Sequence, residues 1–201
     1  TYHVSGRLTV APEHADEGVL MKMKKPPLRD WDRFVSGFED ASRKAGKNQQ
    51  LMPYFISSHP GSDLDAMIKL ALFLKRTGYR PDQVQDFIPA PMDVATAMYY
   101  TGLDPRTLEP VPVARGLRDR RLQRSLLQFF KPANYFLVRE ALTKAGRTDL
   151  IGSGCDALIP DRAPPEALEA RRRRAKTEAG DIHRIASGKD SPKAKGGKGK
   201  G

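Results

Sequence analysis

Gln50-Leu51-Met52-Pro53-Tyr54-Phe55-Ile56-Ser57-Ser58-His59-Pro60-Gly61 is the stretch on which the fold turns. Residues 50–56 are rich in apolar and aromatic side chains and read as a strand. Residues 57–61 are small, polar or turn-forming, and Pro-Gly is a turn dipeptide. Ser62 is a plausible N-cap, with Asp63 and Asp65 in the first turn where carboxylates meet the positive end of a helix. A helical stripe follows: Leu64, Met67, Ile68, Ala71, Leu72 and the stem of Lys75. Gly78 stands where a left-handed residue closes a helix. The unit is strand, loop, helix.

The same unit occurs on both sides. Upstream, residues 7–11 are β-prone, Pro12-Glu13-His14 form a loop, and a short helix over residues 16–23 is stopped by Pro26-Pro27. A second helix starts near Asp30 with Trp31, Phe34, Val35, Phe38, Ala41 and Ala45 as its stripe and Gly46 at its end. Downstream, residues 83–87 form a strand, Ile88-Pro89-Ala90-Pro91 a loop, and residues 93–100 a helix ended by Gly102. Strands alternating with amphipathic helices predict βαβ units and a parallel sheet, because parallel pairing needs long crossovers. Three such strands cannot close a barrel and leave an exposed edge. The chain also begins at Thr1 without Met, directly in strand-like sequence. The expectation is a piece of a longer protein, poorly soluble when expressed alone.

Beyond Gly102 the pattern changes. Pro105, Pro110 and Pro112 mark a connector. Residues 118–130 read as a basic amphipathic helix with Leu122, Leu126, Phe129 and Phe130 inward. Asn134 opens another helix, to about Ala145, with Leu137, Val138, Ala141 and Leu142 inward and Gly146 at its end. This divides the chain into residues 1–102, a helical extension over 103–163 and a tail over 164–201. The tail has few large apolar residues. A transient helix is possible over residues 165–178, and the Lys/Gly-rich residues 191–201 are expected to be disordered.

Composition bounds the function. Of 201 residues 39% are hydrophobic and 29% charged, which supports a globular core, and no apolar run approaches the ~20 residues of a spanning helix. No membrane partner is expected. The net charge of +11 is uneven: residues 171–201 hold eleven Lys and Arg against three Asp and Glu, leaving +3 for residues 1–170. The one cysteine, Cys155, excludes an internal disulfide framework or a cysteine-built metal site within the chain and fits a cytoplasmic location.

In parallel α/β folds, ligands bind at the C-terminal ends of the strands. There this sequence places Glu13 and His14, then Ser57, Ser58, His59 and Gly61, then Gln85 and Asp86, with residues 89–91 closing the third. Each has a bland alternative. Glu13 can serve a helix N-terminus, His14 and His59 can be turn residues at the surface, and Gln85 can pair with backbone. Their joint placement at three successive strand ends carries more information than any one of them.

Three stretches closely resemble the YgiQ-type radical SAM proteins: residues 4–8 with 10–14, residues 53–61, and residues 85–92 with Ala97-Met98-Tyr99-Tyr100-Thr101-Gly102. The resemblance covers roughly residues 2–160, and the run through His59-Pro60-Gly61 is similar to the Gly-Phe-Pro-Gly-Glu loop of wider radical SAM enzymes. It implies an α/β fold: the C-terminal part of a partial (β/α)6 radical SAM barrel, followed by a small helical extension and a disordered basic tail. In that family a C-x-x-x-C-x-x-C loop holds a 4Fe-4S cluster. The cluster binds S-adenosylmethionine and cleaves it to a 5′-deoxyadenosyl radical. This chain has no such motif, so the cluster ligands are expected to lie outside it. The resemblance implies S-adenosylmethionine contacts from the second-strand loop through Ser57, Ser58, His59 and Gly61. It also implies contacts from Glu13 or Arg7 toward the ribose hydroxyls or the methionine carboxylate, from Gln85 and Phe87 near adenine, and places His14 among the cofactor-binding residues. The substrate is unknown, the electron donor is of the flavodoxin or ferredoxin kind, and the chain alone is expected to be inactive.

Two other classes compete. Glu13, His14 and His59 could ligate zinc in a metal-dependent hydrolase, since imidazole and carboxylate suit that ion. Alternatively, the tail and the Arg118, Arg120, Arg121, Arg124 helix could make an RNA-binding module, although the tail lacks interleaved aromatics to stack on bases. The tail is then expected to give weak, non-specific RNA affinity that falls steeply with salt. Deleting residues 171–201 should abolish that affinity in a filter-binding assay; retained binding would contradict a tail-based mechanism.

Overall fold

In the computed structural model, backbone is described for residues 6–186 and side chains for residues 6–177. Three parallel strands form one sheet in the order β1 (Arg7–Glu13), β2 (Gln50–Ser57), β3 (Gln85–Asp86). The helices are α1 (Glu17–Lys22), α2 (Trp31–Lys44), α3 (Leu64–Thr77), α4 (Val94–Thr101), α5 (Leu117–Leu127), α6 (Tyr135–Lys144) and α7 (Pro165–Ala186). The α/β class and the parallel sheet of the sequence reading are present.

β2 is the central strand, and it sinks inward along its length: Gln50 is exposed, Phe55 and Ser57 are buried. β1 pairs with it in simple register from Arg7 opposite Gln50 to Val10 opposite Pro53. Three steps in β1, Val10 to Glu13, then match two in β2, Pro53 to Phe55. This bulge re-aims the end of β1, and Glu13 sits at φ 66°. β3 is shorter than the expected 83–87: only Gln85 and Asp86 pair, with Ile56 and Ser57. The cause lies in β2, which ends at Ser57 because Ser58 turns left-handed at φ 61°. One further bond, Phe87 N–H to Ser57 O at 2.8 Å, closes the ladder.

The main core cluster joins the sheet to the helices after residue 102. Phe55, Met67, Leu70 and Leu74 pack with Leu122, Leu126, Val138 and Leu142. α3 is therefore buried on a wider arc than its expected stripe. Leu70 and Leu74 are inside because α5 and α6 pack on α3, and Phe73 because it meets Phe55 of β2 and Trp31 of α2. Asp63, rather than Ser62, caps it, accepting from Ala66 N–H at 2.9 Å. α2 departs in the other direction. Trp31 and Ser42 anchor it and Val35 and Ala45 pack on the main core, but Phe34 is 43% exposed and Phe38 half-buried, so the described residues cover only part of the expected stripe. The expected disordered tail begins instead with α7, whose Ala167 enters the main core and whose arginines stay at the surface. Residues 191–201 lie outside the described residues.

Where β1 leaves the sheet, a buried latch joins its loop to the one after β2. His14 is fully buried. Its Nδ1 accepts from Asp16 N–H at 3.0 Å, so the proton sits on Nε2, which faces Ser62 Oγ at 3.3 Å. Asp16 in turn caps α1 through Val19 N–H and pairs with Lys69 Nζ at 2.7 Å.

Two outcomes follow from this packing. Leu126→Ala should lower the opening free energy of the α3 and α5 amides by about 3 kcal/mol in hydrogen exchange, as buried leucine truncations do, whereas Phe34→Ala should cost under ~1 kcal/mol. Burial lowers the His14 pKa from 6.5 to about 4. The unfolded chain therefore takes up the proton first, and stability should fall as pH drops from about 6.5 to about 4, by on the order of 3 kcal/mol. Thermal melts across that window should show the slope in the wild type and a flatter one in His14→Asn.

Candidate functional site

The C-terminal ends of all three strands meet over a cleft of about 360 Å3. Glu13 comes from β1, Ile56 from β2, His59 from the loop after it, and Gln85, Asp86 and Phe87 from β3 and its exit. Lys22 and Asp93 complete the rim at α1 and α4. A second small core, Phe87, Ala95, Met98 and Val111, supports the floor. A larger groove, about 980 Å3, runs along α3 to residues 147–157. It meets no strand end, and the strand-end cleft is the better candidate on the general rule for parallel sheets.

The geometry sorts the expected residues. Glu13 lines the cleft and pairs with Lys25 Nζ at 3.1 Å. His59 is buried, and its Nδ1–H donates to Pro60 O at 2.8 Å. That bond fixes the tautomer and leaves Nε2 as an acceptor with no partner among the described residues. Burial holds the His59 pKa below its ordinary value, against the pull of the Pro60 carbonyl and the Glu13 and Asp93 carboxylates, so the ring is neutral at pH 7. Its ring and that of Phe87 meet in a T-shaped arrangement, 5.2 Å between centroids. Gln85 accepts from the Tyr54 hydroxyl, which sets its carboxamide.

Further contacts hold the site in shape. Ser57 Oγ donates to Asp86 Oδ1, and Asp86 Oδ2 pairs with Arg124 at 3.3 Å. Ser58 N–H donates to Gln123 Oε1 at 3.0 Å, while its buried hydroxyl has no partner among the described residues. Gly61 takes φ 95°, and a Cβ there would stand 2.5 Å from Lys22 Cδ. Its bareness lets the Lys22 stem cross the loop to the rim. His14 is a latch, not a surface turn residue. Arg7 stands beside Gln50 at the N-terminal end of the sheet, so the structure does not bring it to the cleft.

Sequence reasoning missed Gln123. Its carboxamide is buried, accepting from Ser58 N–H and donating through Nε2 to Ser62 O at 2.8 Å. One α5 side chain thus clamps both ends of the loop that carries His59. A signal was present: Gln123 lies beside Leu122 on the apolar side of an amphipathic helix, where a polar group needs a partner. Arg120, on the same helix, donates to Phe87 O at 3.0 Å.

The hydrolase alternative finds no support. Among the described residues no three His, Cys, Asp or Glu side chains are grouped to hold a metal ion, and His14 has both nitrogens engaged. No helix among them is long and apolar enough to cross a membrane. Cys155 is exposed and alone.

Comparison with known proteins adds the lineage. Residues 82–200 match the family model described as a domain of unknown function, DUF3362. The chain is 55% identical over 159 residues to a UPF0313 protein of Clostridium botulinum (strain 657 / Type Ba4). It is 48% identical over 171 residues to one of Rhodopseudomonas palustris, and 47% identical over 182 residues to the UPF0313 protein YgiQ of Escherichia coli K12. These alignments cover 79%, 82% and 88% of this chain and 25% of each relative, so the chain spans about a quarter of the length of the curated relatives it matches. No solved structure matches it. By these matches the chain belongs to the YgiQ-type UPF0313 family and carries its DUF3362 region.

Proposed function

We propose that this chain forms one wall of a radical S-adenosylmethionine enzyme, the wall that holds the adenosyl part of the cofactor, within the later part of a partial (β/α)6 barrel. One observation carries the reading: three parallel strand ends converge on a single cleft that holds an aromatic face, a neutral imidazole acceptor, a carboxamide and a carboxylate. Its size falls in the range of small-molecule sites.

The donor set suits an adenosyl group and does not suit the cluster. Phe87 and Ile56 offer apolar surface to a purine. His59 Nε2 can accept from an exocyclic amine, Gln85 can both donate and accept, and Glu13 can accept from ribose hydroxyls. Cluster iron needs thiolates, and the single exposed Cys155 cannot supply them. The ligands belong to sequence outside this chain, and a small redox protein of the flavodoxin or ferredoxin kind is the expected electron donor. When bound, cluster and cofactor supply radical initiation. The part of this chain is to orient the adenosyl moiety and exclude water from it.

The complete protein, reconstituted anaerobically with iron and sulfide and reduced, should release 5′-deoxyadenosine from S-adenosylmethionine. A protein that takes up neither iron nor sulfide and leaves S-adenosylmethionine intact would overturn the proposal. Gln123→Ala leaves Ser58 N–H and Ser62 C=O unsatisfied, at about 1–3 kcal/mol. It should therefore raise the KM for S-adenosylmethionine roughly tenfold with the cluster still bound. Glu13→Gln should act in the same direction and more weakly. An unchanged KM in both would remove this loop from the cofactor site.

A further inference from the structure

The basic residues that the sequence divides between one helix and the tail come together in space. α5 presents Arg118, Arg121 and Arg124 at three-residue spacing, which places them along one side of the helix. α7 presents Arg171 and Arg174 at the same spacing. Two adjoining depressions of about 390 and 410 Å3 lie between these helices and share Arg121 and Arg174. Arg118 is paired with Glu140 and Arg124 with Asp86. Arg121 and Arg174 have no ion pair among the described residues, and Arg171 is held with its guanidinium 4.6 Å over the Phe136 ring. Asn134 and Gln128 line the floor as further polar groups.

Glu140 also lines the groove, but its carboxylate is taken by Arg118 and Lys144, and crowding the remaining guanidinium groups together is unfavourable unless a further anion lies among them. The planar fork of arginine matches phosphate oxygens in pairs. The two depressions together form an open groove between residues 118–128, along α5 and its C-cap, and residues 170–177 of α7, longer than a single small anion needs. We propose that the α5–α7 groove is a nucleic-acid site that grips the phosphate backbone of single-stranded RNA. Arg124 ties it to the strand-end cleft, because the same side chain lines the groove and pairs with Asp86. A strand in the groove therefore passes beside the cleft. The proposal stands on the arginine geometry and does not depend on what the cleft binds.

The test is fluorescence anisotropy with the complete protein and a 5′-labelled mixed-sequence RNA of about 20 nucleotides, between 50 and 300 mM KCl. Arg121→Gln combined with Arg174→Gln should weaken binding roughly tenfold and lower the salt slope by about 1.4, the value for two released single-strand phosphate contacts. The loss should persist in a chain ending at Ala186, so that the Lys/Gly-rich terminus is not its source. Arg121→Lys with Arg174→Lys should restore most of the affinity, and Arg33→Gln with Lys44→Gln on α2 should change it less than twofold. Three results would each overturn the proposal: wild-type affinity in the R121Q/R174Q protein, an equal loss from the α2 pair, or displacement of the RNA by inorganic pyrophosphate as readily as by unlabelled RNA at equal phosphate concentration.

Discussion

A single buried carboxamide ties the helical layer to the sheet's functional end. Gln123 accepts from Ser58 N–H and donates to Ser62 O, so α5 holds both ends of the five-residue loop that presents His59. Backbone groups buried in such a turn must find partners; Ser62 N–H bonds His59 O and the His59 ring bonds Pro60 O within the loop, while Ser58 N–H and Ser62 C=O are met by Gln123. The consequence reaches outward. Ser58 can turn left-handed and end β2, β3 is cut to two residues, and the strand ends open into a cleft instead of running on as a ladder. The DUF3362 match begins at residue 82, so this clamp comes from the matched region and acts on a loop upstream of it.

The periodic parts of the chain were legible. Runs such as 50–56 and the stripe after Asp63 carry their period in plain view, and left-handed Gly78 and Gly102 close α3 and α4 where expected. What failed did so for tertiary reasons. The α2 stripe has the right spacing but few partners among the described residues, because amphipathic spacing says which face is apolar and not whether anything covers it. β3 has a five-residue strand-like run, but its neighbour ends early. α7 was expected only as a transient helix over residues 165–178; Ala167 and the Phe136–Arg171 contact fasten its first turns, and it runs on to Ala186.

The candidate site was legible by position and less so by role. Glu13, His59, Gln85 and Phe87 do converge, as residues at successive strand ends must in a parallel sheet. His14 immediately follows Glu13, yet the bulge in β1 turns it into the interior, where it serves as a neutral latch. Arg7 is at the start of its strand, roughly 20 Å from the end by strand rise alone. Gln123 is 65 residues from Ser58, beyond the reach of any local pattern. Charge followed the same rule: the +8 of residues 171–201 is plain in the sequence, but the meeting of Arg171 and Arg174 with α5 is not.

The central claim is that the strand-end cleft receives the adenosyl part of S-adenosylmethionine. It is tested most directly by an anaerobic crystal structure of the complete, cluster-loaded protein soaked with that cofactor. The purine should lie against Phe87 with His59 Nε2 and Gln85 within hydrogen-bond distance of it, and the ribose should lie on the Glu13 side. Cofactor density at the cluster with its adenosine directed away from these three strand ends would contradict the account.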